Sequence, residues 1–123
     1  MLINLSNHPL STWSALQIET AQKQFGEIMD LPFPKINPEL NETEIENIAD
    51  DYFDKIISIL NISIDKTNAV HVMGELNFTF NIVTKLLNKE INCIASTTER
   101  NTKNIGDKKL TEFKFVKFRR YKY

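Results

Sequence analysis

Apolar residues along this chain occur in short runs that alternate with longer amphipathic stretches. The short runs predict four buried strands, at Leu2–Ser6, 27–31, Ala69–Met73 and 91–96. Apolar side chains recurring every three or four residues predict three helices, at about 12–25, 41–60 and 75–89, the first capped by Ser11 or Thr12. Aromatic and basic residues alternate over 113–121, as they do in an edge strand.

The order of these elements predicts the fold class. Strands separated by segments of helix length need right-handed crossovers, so they form a mainly parallel sheet that is covered on both faces. We therefore predict an α/β, Rossmann-like domain with helices on both faces and a C-terminal edge strand, preceded by a polar loop over 97–109. No linker or internal repeat is visible, so residues 1–123 are predicted to form a single domain.

Composition narrows the function classes. A single cysteine, Cys93, excludes an intrachain disulfide and a C-x-x-C motif. No signal-peptide pattern and no run of about 18 apolar residues occurs, so we expect a cytoplasmic protein that is neither secreted nor membrane-spanning. Glycine-rich dinucleotide loops, Walker loops and histidine-rich zinc motifs are lacking as well, and we expect no cofactor or metal.

The formal net charge of −1 conceals two opposite halves. Residues 1–99 carry 6 Lys/Arg and 14 Asp/Glu, a net charge of −8, whereas residues 100–123 carry 9 Lys/Arg and 2 Asp/Glu, a net charge of +7. Such a basic segment can attract a nucleic acid or a nucleotide. Pairing with the acidic part of the same chain or of a second subunit is an equal alternative.

Three polar segments follow the predicted strands one, three and four. They are Asn7-His8-Pro9, Gly74-Glu75 and Thr97-Thr98-Glu99-Arg100. Ligands of open parallel sheets bind outside the carboxyl ends of the strands, near the point where the strand order reverses. The topology therefore brings these distant segments to one rim of the sheet, which is our candidate site.

The first part of this rim carries groups suited to proton exchange and stacking. His8 can donate or accept a proton near neutral pH, and Asn7 can hydrogen-bond a base, a ribose or a phosphate. The alternative for both residues is a simple turn. Trp13 can stack on a base near the rim or can cover the core.

The other two parts of the rim suit a phosphodiester. Gly74 permits close approach of a ligand to the backbone, and Glu75 can bind a ribose hydroxyl or complement the helix dipole. After strand four, two threonine hydroxyls and an arginine guanidinium can hold phosphate oxygens. The alternative is that this segment is an ordinary polar surface loop without a ligand. These last side chains are Thr97, Thr98 and Arg100, with Glu99 placed to steer Arg100.

Two further reactive side chains are expected to be structural. His71 and Cys93 lie within predicted strands, where a hydrogen-bonded core histidine and a small core residue are typical. Neither is included among the candidate catalytic residues.

The order of these motifs resembles a known group of proteins. The segments that carry the resemblance are Asn7-His8-Pro9, Val72-Met73-Gly74-Glu75 and Ala95-Ser96-Thr97-Thr98-Glu99-Arg100. Over roughly residues 1–100 they are similar to the small CRISPR-associated accessory proteins of the Csx group, which carry stand-alone Rossmann-like domains related to CARF sensor domains.

The resemblance implies a function in type III CRISPR antiviral defence. It implies a homodimer that binds a cyclic oligoadenylate, with cyclic tetra-adenylate favoured, and a metal-independent ring nuclease that leaves 2′,3′-cyclic phosphate. On this basis His8, Thr98 and Arg100 would be catalytic. The ligand-binding residues would be Asn7, Trp13, Gly74, Glu75, Thr97 and Glu99.

Two alternatives remain open at the level of sequence. A non-catalytic sensor of the same messenger would present the same rim. An accessory protein that binds RNA or protein through the basic C-terminal segment would not need the rim at all.

Overall fold

The computed structural model of this chain describes residues 1–63 and 67–123. Their strands are β1 (Leu2–Ser6), β2 (Ile28–Asp30), β3 (Ala69–Met73), β4 (Asn92–Ile105) and β5 (Lys108–Arg120). Their α-helices are α1 (Ala15–Phe25), α2 (Glu42–Ile62) and α3 (Leu76–Asn88). These elements alternate along the chain as the sequence predicts, up to the end of α3.

The strands form one sheet in the order β2-β1-β3-β4-β5. The first four are parallel to one another, and β5 runs antiparallel to β4 at the edge. This confirms the predicted α/β class, with its mainly parallel sheet and C-terminal edge strand. The chain leaves β1 on one side to form β2 and returns on the other side as β3, so the strand order reverses between β1 and β3.

The two faces of the sheet carry different helices and a different chemistry. Ile3 and Leu5 of β1 pack in the larger core cluster, together with side chains of α2 and α3. Leu2 lies in a second cluster with Trp13 and with Ala21 of α1. Because side chains alternate along a strand, Asn4 and Ser6 share the face of Leu2, the face covered by α1. The polar side chains of β1 therefore lie on the side of α1.

Two helix starts follow from capping chemistry. The side chain of Asn41 accepts a hydrogen bond from the backbone N–H of Glu44, whose carboxylate accepts one from Asn41 in return, and this capping box starts α2. Ser14 caps α1 by accepting from Gln17 N at 3.1 Å. The prediction of Ser11 or Thr12 as this cap is wrong, because a separate 3-10 turn, Leu10–Thr12, precedes the helix.

The predicted polar loop over 97–109 is also wrong. The strands β4 and β5 are instead one continuous antiparallel hairpin, joined by Gly106 and Asp107, and its pairs run from Ile94 with Arg120 to Ile105 with Lys108. Gly106 has φ 62°, which suits the first central position of a tight hairpin turn. We call residues 98–115 the arm; almost all of it is exposed.

Within residues 1–63 and 67–123, no helix combines the length and the apolar character needed to cross a membrane.

Candidate functional site

A cleft of about 500 Å³ opens at the carboxyl ends of the central strands, on the α1 face of the sheet. Its floor is formed by β3 and β4, one wall by the segment that leads from β1 into α1, and the other by the arm. It is lined by His8, Thr12, Trp13, Ser14, Gln17, His71, Met73, Ser96, Thr98, Phe113 and Phe115. The cleft thus lies beside the reversal of strand order, where ligands of parallel sheets bind.

A chain of hydrogen bonds runs beneath the floor of the cleft. It links the Asp30 carboxylate to Asn4 Nδ2 at 2.9 Å, Asn4 Oδ1 to His71 Nδ1 at 2.9 Å, and His71 Nε2 to Ser96 Oγ at 2.7 Å. Gln17 Nε2 donates to the same Ser96 oxygen at 2.9 Å. We call Asp30, Asn4, His71 and Ser96 the polar chain. It joins the four adjacent strands β2, β1, β3 and β4 and ends at a hydroxyl in the cleft.

The partners of Asn4 fix the direction of this chain. Asn4 Nδ2 donates to two acceptors, the Asp30 carboxylate and the backbone oxygen of His8, so Oδ1 must face His71. An amide oxygen only accepts, and therefore Nδ1 of His71 carries the ring proton. Nε2 then has a free lone pair, which accepts the hydrogen bond of the Ser96 hydroxyl.

His71 is held in its neutral form. Its side chain is only 1% exposed. Burial, and to a lesser degree the charge of His8, lower the pKa of His71 to about 4. The imidazole consequently keeps the Nε2 lone pair available at neutral pH. The expectation of a hydrogen-bonded core histidine is confirmed, and this histidine also lines the cleft.

Aromatic rings surround the polar floor. Trp13 meets His71 edge to face, with 5.0 Å between ring centroids, and its Nε1 donates to the backbone oxygen of His8 at 2.9 Å. Phe115 and Phe113 come from the arm and line the cleft, and the Phe115 ring lies 4.9 Å from that of Phe118. The cleft therefore combines flat apolar walls with hydrogen-bonding groups at its base.

Three of the predicted site residues line this cleft: His8, Trp13 and Thr98. Arg100 lies one step further along the arm. It pairs with Phe113 across the ladder, and its guanidinium lies 6.0 Å from the centre of that ring. Because Thr98 and Arg100 are two residues apart, they share one face of the arm. Arg100 thus extends the cleft wall outward.

Other predicted site residues have structural contacts instead. Gly74 lies against Phe33, and an added Cβ would come within 2.2 Å of the Phe33 ring, so packing requires glycine there. Glu75 caps α3 by accepting from the backbone N–H groups of Asn77 and Phe78, at 2.7 and 2.9 Å. Asn7 lines a separate depression of about 280 Å³.

The remaining two predicted residues lie in the hairpin. Thr97 Oγ1 bonds to both the backbone oxygen and the backbone N–H of Lys117, at the bulge in the ladder. Glu99 pairs with Lys114 and is on the opposite face from Thr98. Neither lines the cleft among the residues described.

Sequence reasoning did not select the polar chain or Gln17. A signal for it exists in the strands: Asn4 and Ser6 are two apart within a run whose residues are all buried, and they would face the same side of the sheet. His71 and Ser96 are the polar residues of the neighbouring strands on that side. Polar side chains on one face of several buried strands need mutual partners, and this requirement points to a network.

Cys93, by contrast, is as expected. It is buried in the larger core cluster, and burial raises the pKa of its thiol to about 12. In the part of the chain that the structure describes, no group of three or more His, Cys, Asp or Glu side chains is placed to hold a metal ion.

Comparison with known proteins identifies a family. The chain belongs to the uncharacterized protein MJ1673 family, whose model matches residues 1–119. Neither a curated protein nor a solved structure matches the chain.

Proposed function

We propose that this chain binds a cyclic oligoadenylate in the cleft and opens the ring without a metal ion. In this proposal a ribose 2′-hydroxyl attacks the adjacent phosphodiester, and the product ends in a 2′,3′-cyclic phosphate. The observation that carries the proposal is the aromatic cleft whose outer wall is a cationic arm.

The walls of the cleft suit adenine. Single-stranded RNA bases are bound by stacking on aromatic rings and by hydrogen bonds to the base edges. Trp13, Phe113 and Phe115 offer such rings, and Gln17 and Ser14 offer hydrogen-bonding groups beside them. A volume of about 500 Å³ lies within the range of small-molecule sites and holds part of a ring of four nucleotides.

The arm supplies the charge that a phosphodiester needs. Arg100 continues the face of Thr98, and its planar guanidinium can form two hydrogen bonds with phosphate oxygens. Positive charge beside a phosphoryl group stabilises the additional negative charge of the transition state. We assign this function to Arg100, with Thr98 holding a phosphate oxygen and His8 exchanging the leaving-group proton.

We further propose that two copies of the chain share one ring. A two-fold axis would give each copy half of a symmetric ligand. The acidic residues 1–99 and the basic residues 100–123 of opposite copies would attract each other. The dimer would act in type III CRISPR antiviral defence, the function that the resemblance implies.

The test uses purified protein with cyclic tri-, tetra- and hexa-adenylate in the presence of EDTA, with products resolved by liquid chromatography and mass spectrometry. Linear fragments with a cyclic phosphate support the proposal. Arg100→Ala should slow cleavage by about 10²-fold, the typical effect of losing one transition-state donor. Lys103→Ala is the matched control, because Lys103 is a cation of the same arm on the opposite face and pairs with Leu110.

Other results would indicate a different function. Intact rings together with a raised melting temperature would indicate a sensor without catalysis. Absence of both cleavage and a thermal shift would reject the messenger. RNA binding that is lost on charge reversal within 100–123, with cleft variants silent, would identify an accessory protein that acts through its basic segment.

A further inference from the structure

We infer that Ser96 and His71 form the proton acceptor of the reaction in the cleft, with Asn4 and Asp30 as their positioning residues. Ser96 Oγ receives the proton of the attacking hydroxyl, while its own proton passes to Nε2 of His71. The identity of that hydroxyl as a ribose 2′-hydroxyl rests on the proposed function. The geometry of Ser96 and His71 is independent of the proposed function.

The Ser96 hydroxyl is placed for this transfer. It lines the cleft, and its oxygen lies 2.7 Å from His71 Nε2, within the distance at which a proton moves between two heavy atoms. The backbone N–H of Ser96 lies 3.3 Å from the sulfur of Met73, which holds the residue against β3. Gln17 occupies one lone pair of the hydroxyl oxygen, and the second is free to accept from a ligand.

The two positioning residues hold the imidazole in the tautomer that the transfer needs. Asn4 Oδ1 accepts the Nδ1 proton, and the Asp30 carboxylate lies directly behind the Asn4 amide. When His71 gains a proton, the carboxylate polarises that amide toward the positive charge. A serine, a histidine and an Asx side chain in this sequence of bonds is the arrangement by which a hydroxyl is deprotonated at neutral pH.

The step balances in atoms and charge. The 2′-oxygen loses its proton and bonds to phosphorus, and the bond from phosphorus to the 5′-oxygen breaks. The proton held by His71 leaves to solvent, and the 5′-oxygen takes one from His8, which is also replenished from solvent. The ring opens to an isomer of itself, so no water, oxidant or further reactant is consumed.

The buried position of His71 determines the pH range of the pair. Two titratable residues are linked to its ring: His8, which also lines the cleft and whose charge lowers the pKa of His71, and Asp30, which is hydrogen-bonded to Asn4. On the arm side, Thr98 and the phenylalanines carry no charge, and Arg100 lies further out. His71 is therefore neutral throughout the neutral range, with Nε2 free to accept the hydrogen bond of the Ser96 hydroxyl.

The first experiment measures cleavage by wild type, Ser96→Ala and His71→Gln. Removal of a positioned general base typically costs about 10²–10⁴-fold, so we expect kcat to fall within that range while KM changes by less than about threefold. Thr79→Val is the matched control, because the Thr79 hydroxyl is buried in α3 and has no hydrogen-bond partner. If both variants fold and keep wild-type kcat, the inference is overturned and the ring nuclease stands.

A second experiment tests the Ser96–His71 pair if the wild-type protein cleaves none of the cyclic oligoadenylates. A fluorophosphonate probe reacts with an activated serine: the serine oxygen bonds to phosphorus, fluoride leaves, and the serine proton passes to histidine. Labelling located on Ser96 by peptide mass spectrometry, and slowed at least tenfold in His71→Gln, would support the pair even though the proposed function has failed. Absence of labelling in that case overturns the pair as well.

Discussion

The neutral state of buried His71 predicts how stability depends on pH. The folded chain holds this imidazole with a pKa of about 4, whereas its ordinary value is 6.5. Between these two values the unfolded chain binds a proton that the folded chain does not bind. Acidification therefore favours unfolding, and stability is lost as the pH falls from 6.5 to 4.

The magnitude follows from the shift. Each pH unit within that interval costs about 1.4 kcal/mol. From pH 7 to pH 4.5 the loss from this group sums to about 2 kcal/mol, a large share of the roughly 5–15 kcal/mol that stabilises a typical domain. His71→Gln keeps a polar side chain and removes the titration.

The assay is urea unfolding of wild type and His71→Gln at a series of pH values from 7 to 4.5. The free energy of unfolding of wild type should fall by about 2 kcal/mol more than that of the variant over this range. All other ionisable groups are the same in both proteins, so the difference between the two curves reports on His71. Parallel curves would contradict the neutral state of folded His71, because they would mean that His71 takes up its proton in the folded chain as readily as in the unfolded chain.

Three further predictions follow from single contacts. Gly74→Ala should lower the free energy of unfolding by about 1–3 kcal/mol, since its Cβ would overlap the Phe33 ring, and a second change, Phe33→Leu, should recover part of that loss in urea unfolding. Trp13→Phe should lower the free energy of unfolding by about 1 kcal/mol through loss of the hydrogen bond to His8. Because Trp13 is the only tryptophan of the sequence, binding of a cyclic oligoadenylate in the cleft should alter the tryptophan fluorescence of the wild-type protein. Tyr121→Phe should cost about 1–2 kcal/mol in the same assay, because its hydroxyl donates to a β3 carbonyl at 2.7 Å.

The order of the elements could be predicted because burial imposes a period on the sequence. The helix α2 repeats apolar residues at helical spacing, and β3 is a run of five residues of which four are buried. The arm was predicted as a strand only at its end, over 113–115. Residues 98–112 escaped prediction because both faces of this part are largely exposed, so no hydrophobic alternation marks it. The available signal was the Gly106-Asp107 pair between two strand-length segments, a combination typical of tight hairpins.

The position of the cleft could be predicted from the sequence, whereas the contacts within it could be predicted only in part. The rule for parallel sheets indicates the carboxyl ends of β1 and β3, and a cleft lined by His8 lies there. The role of each side chain in the cleft depends on contacts between residues that are far apart in the sequence, such as Asn4 and His71. Glu75 is an example. From the sequence, its carboxylate could equally bind a ribose or cap the following helix, and in the structure it caps α3.

The interior place of β1, between β2 and β3, has a consequence for synthesis of the protein. Its partner β3 follows so late that Asn4 and His71 are separated by 67 residues. At about 5–20 residues per second, translation of this interval takes about 3–13 s, during which β1 still lacks its parallel partner β3 and the helix α3, although β2, α1 and α2 have already been made. The arm, by contrast, closes over two residues and can fold within about 1–10 μs of its emergence. We expect nascent chains that end before residue 69 to bind a chaperone through β1, and chains that extend beyond β3 to be released.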